Sequence, residues 1–148
     1  MRFFLMLILL ACTAMPTFAD GSREQAVRDL TRLNDRFNEA AAAGDAEALV
    51  DLYSDDTVWI AQNTPPVQGL EEPRKLFEFV TSNNGKVSHT IDHLFVSEDA
   101  TLAVMIGSVE AKIASAGMDA TGTYLFVLEP EGDNWKIVTD MWHQHSEN

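Results

Sequence analysis

The chain has 148 residues, enough for one domain with a real core and hardly enough for two. Its formal net charge is −13 and its isoelectric point about 4.4. Phosphate backbones and anionic membrane surfaces would repel such a chain, which argues against nucleic acid as a partner.

Met1–Ala19 reads as an export signal. Arg2 is the basic start, Phe3–Ala11 the apolar run, and Thr17-Phe18-Ala19 offers small residues before a cut at Asp20. The apolar run is too short to span a membrane, and no second one follows. Cys12 after Leu9-Leu10-Ala11 loosely matches a lipid-attachment box, but Leu10 is unusual there and a better cleavage site lies downstream. The expected product is residues 20–148, periplasmic or secreted. It would contain no cysteine, so core packing alone must hold it together.

A first helix is expected from Ser22, with Gln25 three residues on as a weak capping box. Val27, Leu30, Leu33, Phe37 and Ala40 form one apolar stripe at spacings of three and four. Arg28, Arg32 and Arg36 recur on the opposite arc among Glu24, Asp35 and Glu39, which reads as a solvated face rather than an anion site. Gly44 suits a left-handed helix stop and Asp45 an N-cap restart. A second helix, Ala46–Tyr53, follows, then a break at Asp55-Asp56 and a strand over Thr57–Gln62. The two aspartates look like paired acids, yet a turn there would employ both in backbone bonding. After the Asn63–Pro66 loop, Gly69 precedes a third helix with Pro73 in its first turn and Leu76, Phe77 and Val80 on its buried side.

From Val87 the pattern turns to strands: Val87–Val96, Thr101–Ile113, Met118–Leu128 and Trp135–His143, joined by short turns. Helices first and an antiparallel meander afterwards mean an α+β domain.

These elements resemble the nuclear transport factor 2-like superfamily, which includes SnoaL-like cyclases and ketosteroid isomerases. The resemblance rests on Ala43-Gly44-Asp45, Leu52-Tyr53-Ser54-Asp55-Asp56, Val67-Gln68-Gly69 and Asn134-Trp135-Lys136-Ile137-Val138, and covers nearly the whole of residues 20–148. It implies a cystatin-like cone: three N-terminal helices packed on a strongly curved, mostly antiparallel sheet that encloses a pocket. It also implies pairing of two copies through the outer sheet face. It does not fix a function, because this fold carries enzymes, carriers and association domains alike. Anchored on Gly44-Asp45, the isomerase's oxyanion tyrosine falls on Phe37, its general base near Ala61 and its proton-holding acid near Thr123. All three lack the required group, so steroid isomerisation is rejected. The resemblance places no cyclase-type acid securely on the last strands.

The same resemblance puts alternate residues of the final strand inside the cone, selecting Thr139, Met141 and His143, with Phe37 and Trp59 closing the apolar end. Glu110, a lone charge in an apolar strand, points either to solvent or into the pocket with a raised pKa. His89 and His93 share one face of the first meander strand, His143 and His145 one face of the last. At roughly 4.8 Å per strand the two pairs stay apart, so no metal site is expected and no cofactor is implied. Val138 and Trp142 should lie on the even face of the last strand, Ile137, Thr139 and Met141 on the odd. The favoured reading is an exported domain that holds a small, mostly apolar molecule without chemistry, and that forms a homodimer. The alternatives are an enzyme of the cyclase or dehydratase kind using a His–carboxylate pair, and a protein-binding or inhibitory module.

Overall fold

The computed structural model describes residues 18–145. The signal segment and the lipid-attachment reading of Cys12 therefore lie outside the described residues, except for Phe18 and Ala19. Three helices, α1 (Phe18–Ala43), α2 (Ala46–Val50) and α3 (Glu71–Ser82), precede the meander. The strands are β1 (Tyr53–Ile60), β2 (Val67–Gln68), β3 (Lys86–His89), β4 (His93–Val96), β5 (Ala103–Ile113), β6 (Met118–Glu131) and β7 (Asn134–Gln144). They form one sheet in the order β2-β1-β7-β6-β5-β3, with β4 also on β5. Among the described residues only the β1–β7 pairing is parallel. The expected α+β architecture of three helices on a mostly antiparallel curved sheet is what the chain adopts.

The α1–α2 corner forms as its residues dictate. Gly44 takes φ +71°, and the Asp45 side chain accepts the Ala48 amide at 3.0 Å. Leu30, Leu33 and Phe37 are buried, and Ala26 and Ala41 complete the stripe, whereas Val27 is exposed. The arginines stay at the surface, Arg28 near Glu24 and Arg32 near Asp29.

Several boundaries differ from expectation. Helix α1 already runs at Phe18, ahead of Ser22, and Gln25 bonds Asp29 and Arg28 along the helix surface. Helix α2 stops at Val50, and the strand begins at Tyr53 rather than Thr57. Asp55 and Asp56 are exposed on β1, where its pairing with β7 shifts between Tyr53 and Val58, and Asp56 accepts the Ser54 hydroxyl at 2.9 Å. Leu76 of α3 is more than one-third exposed.

Two irregularities reset which residues face the core. The expected single strand Val87–Val96 is broken at Thr90–Asp92. His89 pairs with Val109 and His93 with Ile106, so the first strand spends one more residue than β5 over that interval. His89 consequently points inward and His93 outward, although they are four positions apart. The crossing chain lies directly on Gly107, where an added Cβ would sit 1.7 Å from the Thr90 carbonyl oxygen. In β7, Leu128 pairs with Ile137 but Val127 with Thr139, leaving Val138 as the extra residue of a bulge. Inward parity changes there from Ile137 to Asp140 and Trp142.

Candidate functional site

The bulges and the sheet curvature leave a cavity of about 100 Å³ on the inner face, between α1, α3 and the strands. Its buried walls include Phe37, Tyr53, Trp59, Phe77, His89, Tyr124 and Asp140. The wall is apolar apart from two phenols, two indoles, an imidazole, one carboxyl and the exposed Thr121.

Asp140 is 5% exposed, carried inward by the Val138 bulge. The Tyr53 hydroxyl donates to its Oδ2 at 2.7 Å. Burial removes the water that would solvate the carboxylate and pushes its pKa up to about 7, while the Tyr53 bond holds it down in part. The same burial, with the neighbouring Asp140 charge, raises Tyr53 well above the ordinary phenol range.

His89 is held from three sides. Its ring stacks between Phe37, at 4.0 Å between centroids, and Tyr124, at 4.3 Å. Its backbone is clamped by Asn38, which donates to the His89 carbonyl at 2.9 Å and accepts the His89 amide at 2.8 Å. Asn34, one turn earlier on the same helix face, adds a longer contact to that carbonyl at 3.4 Å. Desolvation lowers the imidazole pKa to about 3, so the ring is neutral at physiological pH. Its Nδ1 lacks a hydrogen-bond partner, as do Asn34 Oδ1 and Thr57 Oγ1. Buried polar atoms rarely stay unpaired, and of these three residues His89 lines the cavity. Tyr124 is fixed by donating to the Thr90 carbonyl at 2.9 Å.

Phe37 and Trp59 line this cavity, but four other expected pocket residues do not. Glu110 lies on the outer face of β5, exposed. Thr139, Met141 and His143 face away from the cavity because the Val138 bulge reverses the parity assumed for β7, and Met141 is 39% exposed. Trp142, expected on the opposite face from them, lines the cavity. The two histidine pairs are not united: His89 is inside, whereas His143 and His145 are exposed, with ring centroids 6.3 Å apart. Among the described residues, no cluster of three or more His, Cys, Asp or Glu is placed to hold a metal ion. No described helix is long and apolar enough to cross a membrane.

Tyr53, His89, Tyr124 and Asp140 were not singled out from sequence as pocket residues. Faint signals existed: Asn34 and Asn38 flank Phe37 on the helix face that should be apolar, and Asp140 interrupts an apolar strand as Glu110 does.

Known proteins of this shape have diverse names. A nuclear transport factor 2-like protein of unknown function from Shewanella oneidensis is 21% identical, with a TM-score of 0.67 over 78% of this chain and 97% of that one. A putative scytalone dehydratase from Novosphingobium aromaticivorans is 18% identical, with a TM-score of 0.70 over 86% and 89%. A ketosteroid isomerase-like protein from Erwinia carotovora atroseptica is 19% identical, with a TM-score of 0.60 over 86% and 96%. No curated protein matches the chain. At these identities the likeness concerns fold alone. The SnoaL-like domain family matches residues 34–138, well over half of the sequence, and the chain belongs to that family, with the nuclear transport factor 2-like fold.

Proposed function

We propose that the cavity binds a small, mostly apolar molecule and that Asp140 transfers a proton to or from it. The observation that carries this reading is a carboxyl enclosed in an apolar cavity with its pKa raised to about 7. Such a group is part ionised at neutral pH and can act as acid or base, and strongly displaced titrations cluster at functional sites. Tyr53 orients it. Neutral His89 lines the same cavity, and a neutral imidazole can donate to an oxygen that gains negative charge. This reading departs from the favoured expectation of binding without chemistry, and also from the alternative's His–carboxylate pair: the carboxyl's partner is a tyrosine, and the histidine lines the same cavity. Dehydratase- and isomerase-like names among the structural neighbours fit this class of chemistry.

Cyclohexanone, a ring-sized ketone, is a suitable probe in heavy water. The expected result is binding, with deuterium entering the carbons beside the carbonyl faster than in buffer, and loss of that exchange in Asp140→Asn. Binding without exchange would favour a carrier that performs no chemistry. One observation supports that second reading: among the described residues His89 has no carboxylate partner to raise its basicity. Failure of cyclohexanone to bind at all would remove both readings of the cavity.

We also propose export with cleavage after Ala19 and a homodimer through the outer sheet face. Two mostly apolar cross-strand rows support the dimer: Phe95-Val104-Val127-Thr139-Val58 and His93-Ile106-Leu125-Met141-Ile60. Phe95 is 58% exposed, and a second copy would cover it. Light scattering at micromolar concentration should give twice the monomer mass, and Leu125→Asp should halve it. A wild-type monomer rejects the dimer. Intact-mass measurement of the protein from its host tests the leader, and a lipid-modified Cys12 at the N-terminus would overturn the proposed cleavage.

A further inference from the structure

The cavity is not uniform along its length, and strand register gives its direction. Ile113 faces Met118 at the β5–β6 hairpin, Ala111 faces Ala120 next, and Val109 faces Gly122 beyond them. Val87 and His89 of β3 lie beside Ala111 and Val109. Further along, Tyr124 pairs with Trp142 and Phe126 with Asp140. From Met118 to Tyr124 the chain covers roughly 20 Å of strand.

Polarity and exposure run in opposite directions along this path. The inner end carries His89, Tyr53 and Asp140, all buried. The middle is bounded by Val87 and the small cross-strand pair Ala111–Ala120, which leaves room for a chain to pass. The outer end is formed by Leu76, Phe79 and Met118, which line the same cavity and are 36%, 44% and 39% exposed. Three large apolar side chains around one opening leave greasy surface in water, and a ligand's apolar portion would cover it.

We infer that the occupant is an uncharged amphiphile: a polar function placed at Asp140 and His89, and an apolar chain that passes Ala111–Ala120 and lies on Leu76, Phe79 and Met118. A carboxylate head is disfavoured by the Asp140 carboxyl at the inner end and by the chain's net charge of −13. A carbonyl or hydroxyl head suits the hydrogen-bonding groups present. This inference rests on the proposed reading of the cavity as a small-molecule site and adds the shape and polarity of the molecule.

Isothermal titration with cyclohexanone, 2-heptanone, 2-nonanone, 2-undecanone and decanoate tests it. Affinity should rise along the 2-alkanones by up to about fourfold per added methylene, the value for full burial. Decanoate should bind at least tenfold more weakly than 2-undecanone. In Phe79→Ser/Met118→Ser the dependence on chain length should flatten. Cyclohexanone binding with no gain along the series overturns the amphiphile and leaves the small-molecule site standing. A gain that persists undiminished in the double variant places the chain elsewhere and also overturns it. Decanoate binding as tightly as 2-undecanone overturns the uncharged head. If no member binds, cyclohexanone included, the site reading falls and this inference with it.

Discussion

Tyr53 donates a hydrogen bond to Asp140 across 2.7 Å, joining the first residue of β1 to the inward face of β7, with both side chains buried. The bond favours the ionised carboxyl while burial disfavours it, and burial prevails. Tyr53→Phe should therefore raise the Asp140 pKa above about 7. It should also cost about 1–2 kcal/mol of stability, the scale of one buried hydrogen bond. Carbon-13 NMR of the carboxyl and urea unfolding measure the two effects. An unmoved pKa would mean that the tyrosine does not act on the ionised form.

Asp140 and His89 should make opposite contributions to stability against pH. Asp140 goes from 3.8 unfolded to about 7 folded, so between those values the folded state holds a proton that the unfolded chain has lost. Its stabilising share is complete below 3.8 and disappears as pH rises to 7. His89 goes from 6.5 unfolded to about 3 folded, so the unfolded chain binds the extra proton and stability falls as pH drops from 6.5 to 3. Each window spans about three pH units, on the order of 4 kcal/mol at 1.36 kcal/mol per unit. The two slopes nearly cancel between about pH 4 and 6.5. His89→Phe should then lose stability, relative to wild type, as pH rises from 4 to 7. Asp140→Asn should lose it as pH falls over the same range. Parallel curves for the variants and wild type would contradict both shifts.

Gly107→Ala should cost at least about 3 kcal/mol, because the new methyl would meet backbone rather than a movable side chain. Gly117→Ala, at φ +63° with open space around it, should cost only about 1–2 kcal/mol from the backbone conformation. Chemical denaturation of the pair gives the comparison. Equal losses would mean that the Thr90 crossing yields easily.

Phe37→Ala should destabilise by about 3–5 kcal/mol, since the ring is 1% exposed and packs on both Phe77 and His89. His143→Ala should change stability by less than about 0.5 kcal/mol and leave cyclohexanone affinity alone, because the side chain is exposed and outside the cavity. A marked loss of ligand affinity in His143→Ala would restore the odd-numbered pocket list for β7.

The sequence by itself determined the order of helices and strands, the Gly44–Asp45 corner and the buried positions of Leu30, Leu33 and Phe37. Those features depend on neighbours within about one helical turn, where periodicity and capping act directly. The tertiary structure alone decided which carboxyl and which histidine share the cavity. Strand side chains alternate with a period of two, so one extra residue reverses every assignment beyond it. The extra residues near Ile91 and at Val138 show only in pairing with β5 and β6. His89 therefore turned inward away from His93, and Asp140 took the place opposite Phe126 that regular alternation gives to Thr139. Its displaced pKa follows from that placement, because desolvation comes from the packed side chains of distant strands and helices.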